Sequence, residues 1–527
     1  MRKVIFLFTL LTSMSVFAQH IEVVRGGCTP ESEADSQVAA RHAARPFRLP
    51  AINKEWDAER TYKQLVILIS FSDLDFTMDN PREFYDNMFN TPGFNQRKGP
   101  GCVAEYFKAQ SNGLMNMQFD VVGPYKVSTK AQPYDKPDAN TKNYGQNVMR
   151  EATNLMIQEN PEWDFTPYDW NGNGAVNQVI YIAAGYTGNV NAEICYGYIW
   201  PNTSSFSSIT THDNKKISSY TVSCEHWPTS SKTLCGLGTV CHEFTHSLGL
   251  PDIYPTSSSA GFSVCDEWDL MDGGNFSNYG WCPPNYTPLE KMLLGWTTPV
   301  ELTEPTSIKD LAPSADGGNT YIIKHSDSEW LMLENRQQKG WDAAAPGKGL
   351  IIYHVNYDGS VWSGNTVNNN KSKYRFDIIH ADNWDYSAWD NYIASAGISK
   401  YANSGYMNNR YLSTSPYPYV TETECNDSLT DNSVPAATMF YPNLVGEMSL
   451  KKSITNIKMD EDGLISFDFM GGEDTTVYIR EIAEEQLKGN VAVYDLNGRL
   501  LPVANRDYRR GLYLERRADG TLRKVIR

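Results

Sequence analysis

The chain has 527 residues, of which 41% are hydrophobic and 20% charged, too many for one compact core, so two to four folded units are expected. Lys and Arg number 46 against 62 Asp and Glu, a formal net charge of −16. That balance argues against nucleic-acid binding, because phosphate contacts draw on clustered Lys and Arg.

Residues 1–18 join Arg2 and Lys3 to an apolar run that closes on the small residue Ala18 before Gln19. This is the pattern of a secretory signal peptide cut near Ala18. The run is short for a membrane anchor, which needs about 20 apolar residues, and no other stretch approaches that length, so no stable membrane span is expected. Nine cysteines, six of them between Cys195 and Cys282, are thus bound for an oxidising compartment. Disulfides are expected there, and the odd count leaves at least one thiol without an internal partner.

Residues 19–60 are polar and rich in Ala and Arg, and read as an N-terminal extension or short pro-segment. Order is expected to begin at QLVILISFSD (64–73), a continuous apolar run suited to a buried strand. In NVMREATNLMIQ (147–158), Val148, Ala152, Leu155 and Met156 share one helical face. NQVIYIAAG (177–185) reads as a second buried strand. The alternating KISSYTVSCEH (216–226) reads as a strand at the sheet edge, where substrate backbone would pair, with an internal strand as the alternative.

CHEFTHSLGLPD (241–252) follows. On a helix, His242 and His246 lie one turn apart and reach the same point, close enough to share an ion at about 2.0–2.1 Å. Glu243 sits on an adjacent bearing, where it can hold a water as general base. Gly249 lets the helix end and the chain turn back, since glycine takes the left-handed conformation at little cost. Asp252 is then delivered as a third ligand, leaving a fourth position for water. The expected cofactor is one catalytic Zn2+, and the expected reaction is peptide-bond hydrolysis.

Further along, EWDLMDGGNF (267–276) places Met271 in a tight Asp-Gly-Gly turn, similar to the methionine turn that floors the zinc site of metzincins. Tyr279 and Tyr286 follow it as candidate oxyanion donors. Upstream, DWNGNGAVN (169–177) has the spacing of a calcium loop, with Asp169, Asn171, Asn173 and Asn177 at alternating donor positions and Gly174 at the turn. Ile180 stands where an EF-hand carries its closing Glu, and the alternative is an Asn/Gly turn leading into a strand.

After Trp296 the pattern becomes short strands, TYIIKH, EWLMLENRQ, GLIIYHVNY and RFDIIHADN, continuing to about Met470. A Tyr/Asn/Ser-rich stretch (383–420) reads as a long surface loop, whose Trp384, Tyr386, Trp389, Tyr392, Tyr401 and Tyr406 could form an aromatic platform. GGEDTT (471–476) is a linker, and Asn497-Gly498 and Asp519-Gly520 mark two hairpins in a terminal β module.

GTVCHEFTHSLGLPDIY (238–254), WDLMDGGNF (268–276) and TPLEKMLLGW (287–296), with LVILISFSD and WNGNGAVNQVIYIAAG upstream and LMLENRQQKGWDAAAPGKGLIIYHVNYD downstream, resemble the secreted metallopeptidases typified by immune inhibitor A. The resemblance covers roughly residues 60–470. It implies His242, His246 and Asp252 as zinc ligands, Glu243 as base, Met271 as the turn residue, and protein or peptide substrates. Relatives often carry a longer propeptide and a more acidic calcium loop. Cys28, in RGGCTP, could occupy the fourth zinc position in a latent form, or pair with another cysteine. The last fifty residues resemble the C-terminal sorting domains of proteins exported by the type IX secretion machinery of Bacteroidetes, which implies a bacterial extracellular or cell-surface location.

The expected architecture is α+β: signal peptide 1–18, extension 19–60, zincin- or metzincin-like catalytic domain 61–300, β-rich, sandwich-like domain 301–470, linker 471–476 and C-terminal β module 477–527. A non-catalytic surface protein that binds host proteins or glycans through the β-rich region is the reading from a different class. Exopeptidase or amidase chemistry would use the same metal.

Overall fold

The computed structural model describes residues 56–131, 144–187, 199–227, 232–257, 263–385 and 412–472, the positions 388 and 395, and three short strands within 492–526. It is a mixed α/β architecture with several sheets and few helices. Cys28 and the first 55 residues lie outside this set, as do all members of the aromatic platform except Trp384, which is 41% exposed.

The first sheet runs β2-β1-β3-β5-β4, with β1 at Thr61–Ser70, β2 at Asn116–Lys126, β3 at Val179–Tyr186, β4 at Asn202–Thr210 and β5 at Lys216–His226. β2, β1, β3 and β5 are parallel and β4 is antiparallel. Successive side chains of a strand point to opposite faces, and both faces of this sheet are covered, which is why β1 reads as an unbroken apolar run. Val66 and Leu68 join Ile180 and Ile182 in one core, while Leu65, Ile67 and Ile69 join Val179, Tyr181 and Ala183 in another. Helices α1 (Pro81–Asn90) and α2 (Val103–Gln110) cover the first face, and α3 (Tyr144–Glu159) covers the second with Val148, Ala152 and Met156.

The strand expected at the edge is internal: β5 pairs with β3 on one side and β4 on the other. Alternation along KISSYTVSCEH therefore does not mark a solvent face, since Thr221, Ser223, Glu225 and His226 are buried polar residues. β4 is the edge.

Helix α4 (Leu237–Leu248) carries the His242 and His246 motif and packs Val240, Phe244 and Leu248 into the first core. Its start is pressed against the segment 273–280. At Gly238 a Cβ would stand 2.2 Å from the Asn275 carbonyl oxygen, so only glycine permits that approach.

The β-rich half is built on the sheet β11-β10-β9-β8-β6: β6 at Val300–Glu301, β8 at Tyr321–Lys324, β9 at Glu329–Arg336, β10 at Gly349–Asn356 and β11 at Phe376–Ile378. One face, with Ile322, Met332, Ile351 and Tyr353, enters the same core as α4 and Met271. The opposite face, with Ile323, Leu331, Leu333 and Ile352, packs on Ile465, Phe467 and Phe469 of a three-stranded sheet formed by β7 (Thr306–Leu311), β12 (Ile454–Met459) and β13 (Ile465–Phe469). The five-stranded sheet thus packs on a second sheet by one face and shares a core with the motif helix by the other.

A buried charged group ties the halves together. Arg336 donates to Glu334 at 2.9 Å, to Asp342 at 2.7 Å and to the Trp268 carbonyl at 3.2 Å. Asp342 also accepts from Asn285 N at 3.0 Å. At the C-terminus Ala492–Tyr494, Leu512–Arg516 and Leu522–Ile526 form an antiparallel three-stranded sheet, with Asp519-Gly520 in the connection between its last two strands. None of the seven described cysteines is paired; Cys28 and Cys195 fall outside the described residues.

Candidate metal centre

The helix presents His242 and His246 one turn apart, with ring centroids 4.9 Å from each other. Gly249, at φ +104°, ends the helix with its N–H on the His246 carbonyl at 3.0 Å. The chain then reverses and brings Asp252 Oδ1 to 3.2 Å from His242 Nε2 and 3.1 Å from His246 Nε2. All three side chains are buried, and their ligand atoms lie within 4.8 Å of one another. Among the described residues this is the group of His, Cys, Asp or Glu side chains able to hold a metal.

The other ring nitrogens are already committed. His242 Nδ1 donates to the Leu270 carbonyl at 2.7 Å, and His246 Nδ1 donates to the Leu250 carbonyl at 2.8 Å. Each bond commits Nδ1 as the donor and leaves Nε2 as the ring atom that faces Asp252 and is available to a metal. Two imidazole nitrogens and one carboxylate oxygen are a donor set that suits zinc. The residues fit the ion that the sequence implies.

Burial works against charge on His246, but the Asp252 carboxylate outweighs it and pushes the imidazole up to about 9. Burial likewise works against the Asp252 anion, yet His246 and the hydrogen bonds from both imidazoles hold its carboxyl well below the usual range.

Glu243, next in sequence to His242, is buried and lies outside the ligand cluster. Its main-chain carbonyl accepts a hydrogen bond from Thr203 of β4, which draws the edge strand against the motif helix. Met271 is fully buried beneath. Its carbonyl accepts from Ile253 N at 2.8 Å and its amide donates to Asp269 Oδ1 at 2.6 Å. The methionine turn therefore braces both arms of the site through main-chain carbonyls, Leu270 for His242 and Met271 for the segment after Asp252.

One residue escaped the sequence reading. Asn365, 113 positions beyond Asp252, accepts from Asp252 N at 2.7 Å and donates from Nδ2 to Asp252 Oδ2 at 2.7 Å. The only trace of it in the sequence is the Asn-rich turn GNTVNNN (364–370), which carries no recognisable metal spacing.

The remaining candidates fall elsewhere. Tyr286 is fully buried with its hydroxyl against Thr245 on the core side of α4, so it is no oxyanion donor. Tyr279 lies under Arg97, whose guanidinium carbon is 4.3 Å from the ring centroid. In the candidate calcium loop, Asp169 Oδ2 receives the Lys215 ammonium at 2.8 Å and Gly174 N at 2.9 Å, and Oδ1 receives Asn173 N at 3.0 Å. Asn171 and Asn173 spend their side-chain oxygens on Asn173 N and Ala175 N, and Asn177 bonds the Tyr168 carbonyl through its own N–H. An internal ammonium already neutralises the loop's one carboxylate, and the residues do not fit a calcium ion in this arrangement.

Residues 52–284 match the family model for the immune inhibitor A peptidase M6 catalytic domain. The matched segment belongs to that family. Among curated proteins, the pre-pro-metalloprotease PrtV of Vibrio cholerae serotype O1, from strains M66-2 and El Tor Inaba N16961, is 23% identical over 278 residues, which are 45% of this chain and 29% of the relative. The match thus spans under a third of the length of these relatives. Among solved structures, wild-type OgpA from Akkermansia muciniphila aligns at 14% identity over 55% of this chain and 75% of that one, with a TM-score of 0.25. Catalytically inactive OgpA in complex with an O-glycopeptide, glycodrosocin, aligns at 13% identity with the same coverage and TM-score. A TM-score of 0.25 is too low for a shared fold to be inferred from it. The M6 assignment accounts for the His242, Glu243 and His246 helix, and it stops well short of Asn365.

Proposed function

We propose that this chain is a secreted, zinc-dependent endopeptidase of the M6 type, in which His242, His246 and Asp252 hold one ion and Glu243 is the general base. The observation that carries the reading is the convergence of Asp252 Oδ1 on two Nε2 atoms whose partner nitrogens are tied to carbonyls. A bound zinc ion would polarise the scissile carbonyl and lower the pKa of its water to about 7. Glu243, one position from a ligand and inside the buried pocket, takes a proton from the attacking water and passes it to the departing amine nitrogen. Met271 makes the arrangement metzincin-like, as an apolar floor that keeps the ligands rigid.

An extended substrate is served by β4, whose outer edge has no strand partner among the described residues and whose Thr203 touches the backbone of Glu243. The signal-like residues 1–18 support secretion, no helix among the described residues is long and apolar enough to cross a membrane, and the terminal β module would act as an export address. The non-catalytic alternative has less behind it, because the ligands and Glu243 are all in place.

The test is casein proteolysis by the purified mature protein, with and without a zinc chelator, beside Glu243→Gln. Activity should vanish with chelation and return with zinc. The Glu243→Gln variant should keep about one zinc per chain and lose on the order of 10²–10⁴ in rate. A folded, zinc-loaded wild type that cleaves nothing on varied substrates would sink the assignment.

A further inference from the structure

Asp252 has two carboxylate oxygens, and the structure gives them different work. Oδ1 faces His242 Nε2 and His246 Nε2 at 3.2 and 3.1 Å. Oδ2 faces away, into the side-chain amide of Asn365, whose Nδ2 donates to it at 2.7 Å. The same amide closes a second bond, because Asn365 Oδ1 accepts from Asp252 N at 2.7 Å. One side chain thus grips both the backbone and the outer carboxylate oxygen of the third ligand, at a residue only 3% exposed. Water has little access to compete for either bond, and a buried donor left without an acceptor is costly, which keeps the pair closed.

Asn365 is itself held. Its φ of +54° is a left-handed conformation that asparagine tolerates better than other side chains with a Cβ, and its amide bonds the Trp362 carbonyl at 3.2 Å. The turn it begins continues the grip along the segment after Asp252. Thr256 Oγ1 donates to the Asn365 carbonyl at 2.7 Å, Asn368 Nδ2 donates to the Ile253 carbonyl at 3.0 Å, and Ser257 N donates to Asn369 Oδ1 at 3.0 Å. Asn368 also anchors the turn to the five-stranded sheet, accepting from Phe376 N at 3.2 Å at the start of β11. Residues 365–369 belong to the β-rich half and lie outside the segment matched to the M6 catalytic domain.

We infer that Asn365 is a positioning residue that restricts Asp252 to one-oxygen metal ligation, so that the β-rich half forms part of the metal centre. This rests on the reading that His242, His246 and Asp252 bind a metal, and it does not depend on what the protein cleaves. The chemical reason is coordination number. A carboxylate free to turn can give a metal both oxygens, whereas an Oδ2 locked to an amide donor leaves that position for water and the substrate carbonyl.

The experiment uses the full mature chain loaded with Co2+ in place of zinc, and reads the visible absorption spectrum at equal metal content. The primary variant is Asn365→Gly, which removes both bonds and suits a positive φ. The second, Asn365→Asp, keeps an acceptor for Asp252 N and replaces the donor to Oδ2 with a carboxyl oxygen, and is read at a pH high enough that both carboxyls are ionised and repel. Both should show weaker and shifted cobalt bands, as a fifth donor enters. Competition with a chromophoric chelator should show about 10- to 100-fold weaker zinc binding. Asn369→Ala, which loosens the same turn without touching Asp252, should retain the wild-type spectrum. Variant spectra that superimpose on wild type overturn the assignment, even if affinity falls, since affinity alone can drop with general loosening. A wild type that binds no Co2+ or zinc at all would instead overturn the metal-site reading on which it rests. If Asn365→Gly does not fold, Asn365→Asp decides.

Discussion

The Leu270 carbonyl oxygen lies 2.7 Å from His242 Nδ1, and the next carbonyl, that of Met271, accepts from Ile253 N at 2.8 Å, so one turn braces both arms of the metal site through its backbone. The Met271 side chain is fully buried in the core beside these backbone bonds. Met271→Leu should therefore cost under about 1.5 kcal/mol and Met271→Ala about 2–5 kcal/mol. Both should keep one zinc per chain, measured by thermal melts beside metal analysis. Loss of zinc from Met271→Leu would show that the side chain, not the backbone, sets the ligand geometry.

The Lys215 ammonium sits on Asp169 at 2.8 Å, with the Asp side chain buried and the Lys largely so. Wild-type melting temperature should not respond to calcium or to a calcium chelator. Lys215→Ala leaves a buried carboxylate without its cation and should lose about 1–3 kcal/mol. Part of that loss should return with millimolar calcium, since the vacated space faces a carboxylate and loop oxygens. A calcium-dependent melt in the wild type would mean that the ion displaces Lys215.

Asp269 and Glu290 are fully buried and adjacent in the core below the turn. Burial drives Asp269 well above the ordinary carboxylate range, with Glu290 adding to the effect, and burial pushes Glu290 up to about 7. Unfolding returns both to ordinary carboxylate values, so between about pH 4.5 and 7 the folded chain holds more protons than the unfolded one. Stability from this pair is then present at acid pH and lost as pH rises through 7. Chemical denaturation at several pH values should show that decline. Glu290→Gln, which can still accept from Thr287, should flatten it.

A chain ending at residue 300 should not fold as a cooperative unit, although it holds every ligand. It would lose Met332, Ile351 and Tyr353 from the core that contains Trp268 and Met271, and Arg336 from the Trp268 carbonyl. The expected result is dye binding to exposed apolar surface and no sharp melt. A truncated protein with a cooperative transition and near-wild-type zinc affinity would contradict both the shared core and the role of Asn365.

Much of this molecule could be read from its sequence, and for local reasons. A helix fixes which residues share a face within one turn, so His242, Glu243 and His246 declare themselves by spacing, and Gly249 and Asp252 follow within six residues. Apolar runs such as 64–73 and 349–357 announce buried strands because both faces of each sheet are covered, whatever covers them. What the sequence could not rank was position within a sheet, and it left 216–226 between edge and interior for that reason: alternation of residue types does not say which strands pair on either side. The Lys215 ammonium in the Asp169 loop was hidden likewise, since a lysine 46 positions away shows no preference for a loop until folding brings it there. Asn365 is the clearest case. An asparagine has no signature of its own, and only the packing of β11 and its preceding turn against the 252–257 segment places an amide where a metal ligand's second oxygen needs one. Spacing along the chain determined which atoms could bind a metal; the contact between two distant segments decided how one of them is held, because hydrogen bonds act over about 3 Å of space and are indifferent to the length of chain between their partners.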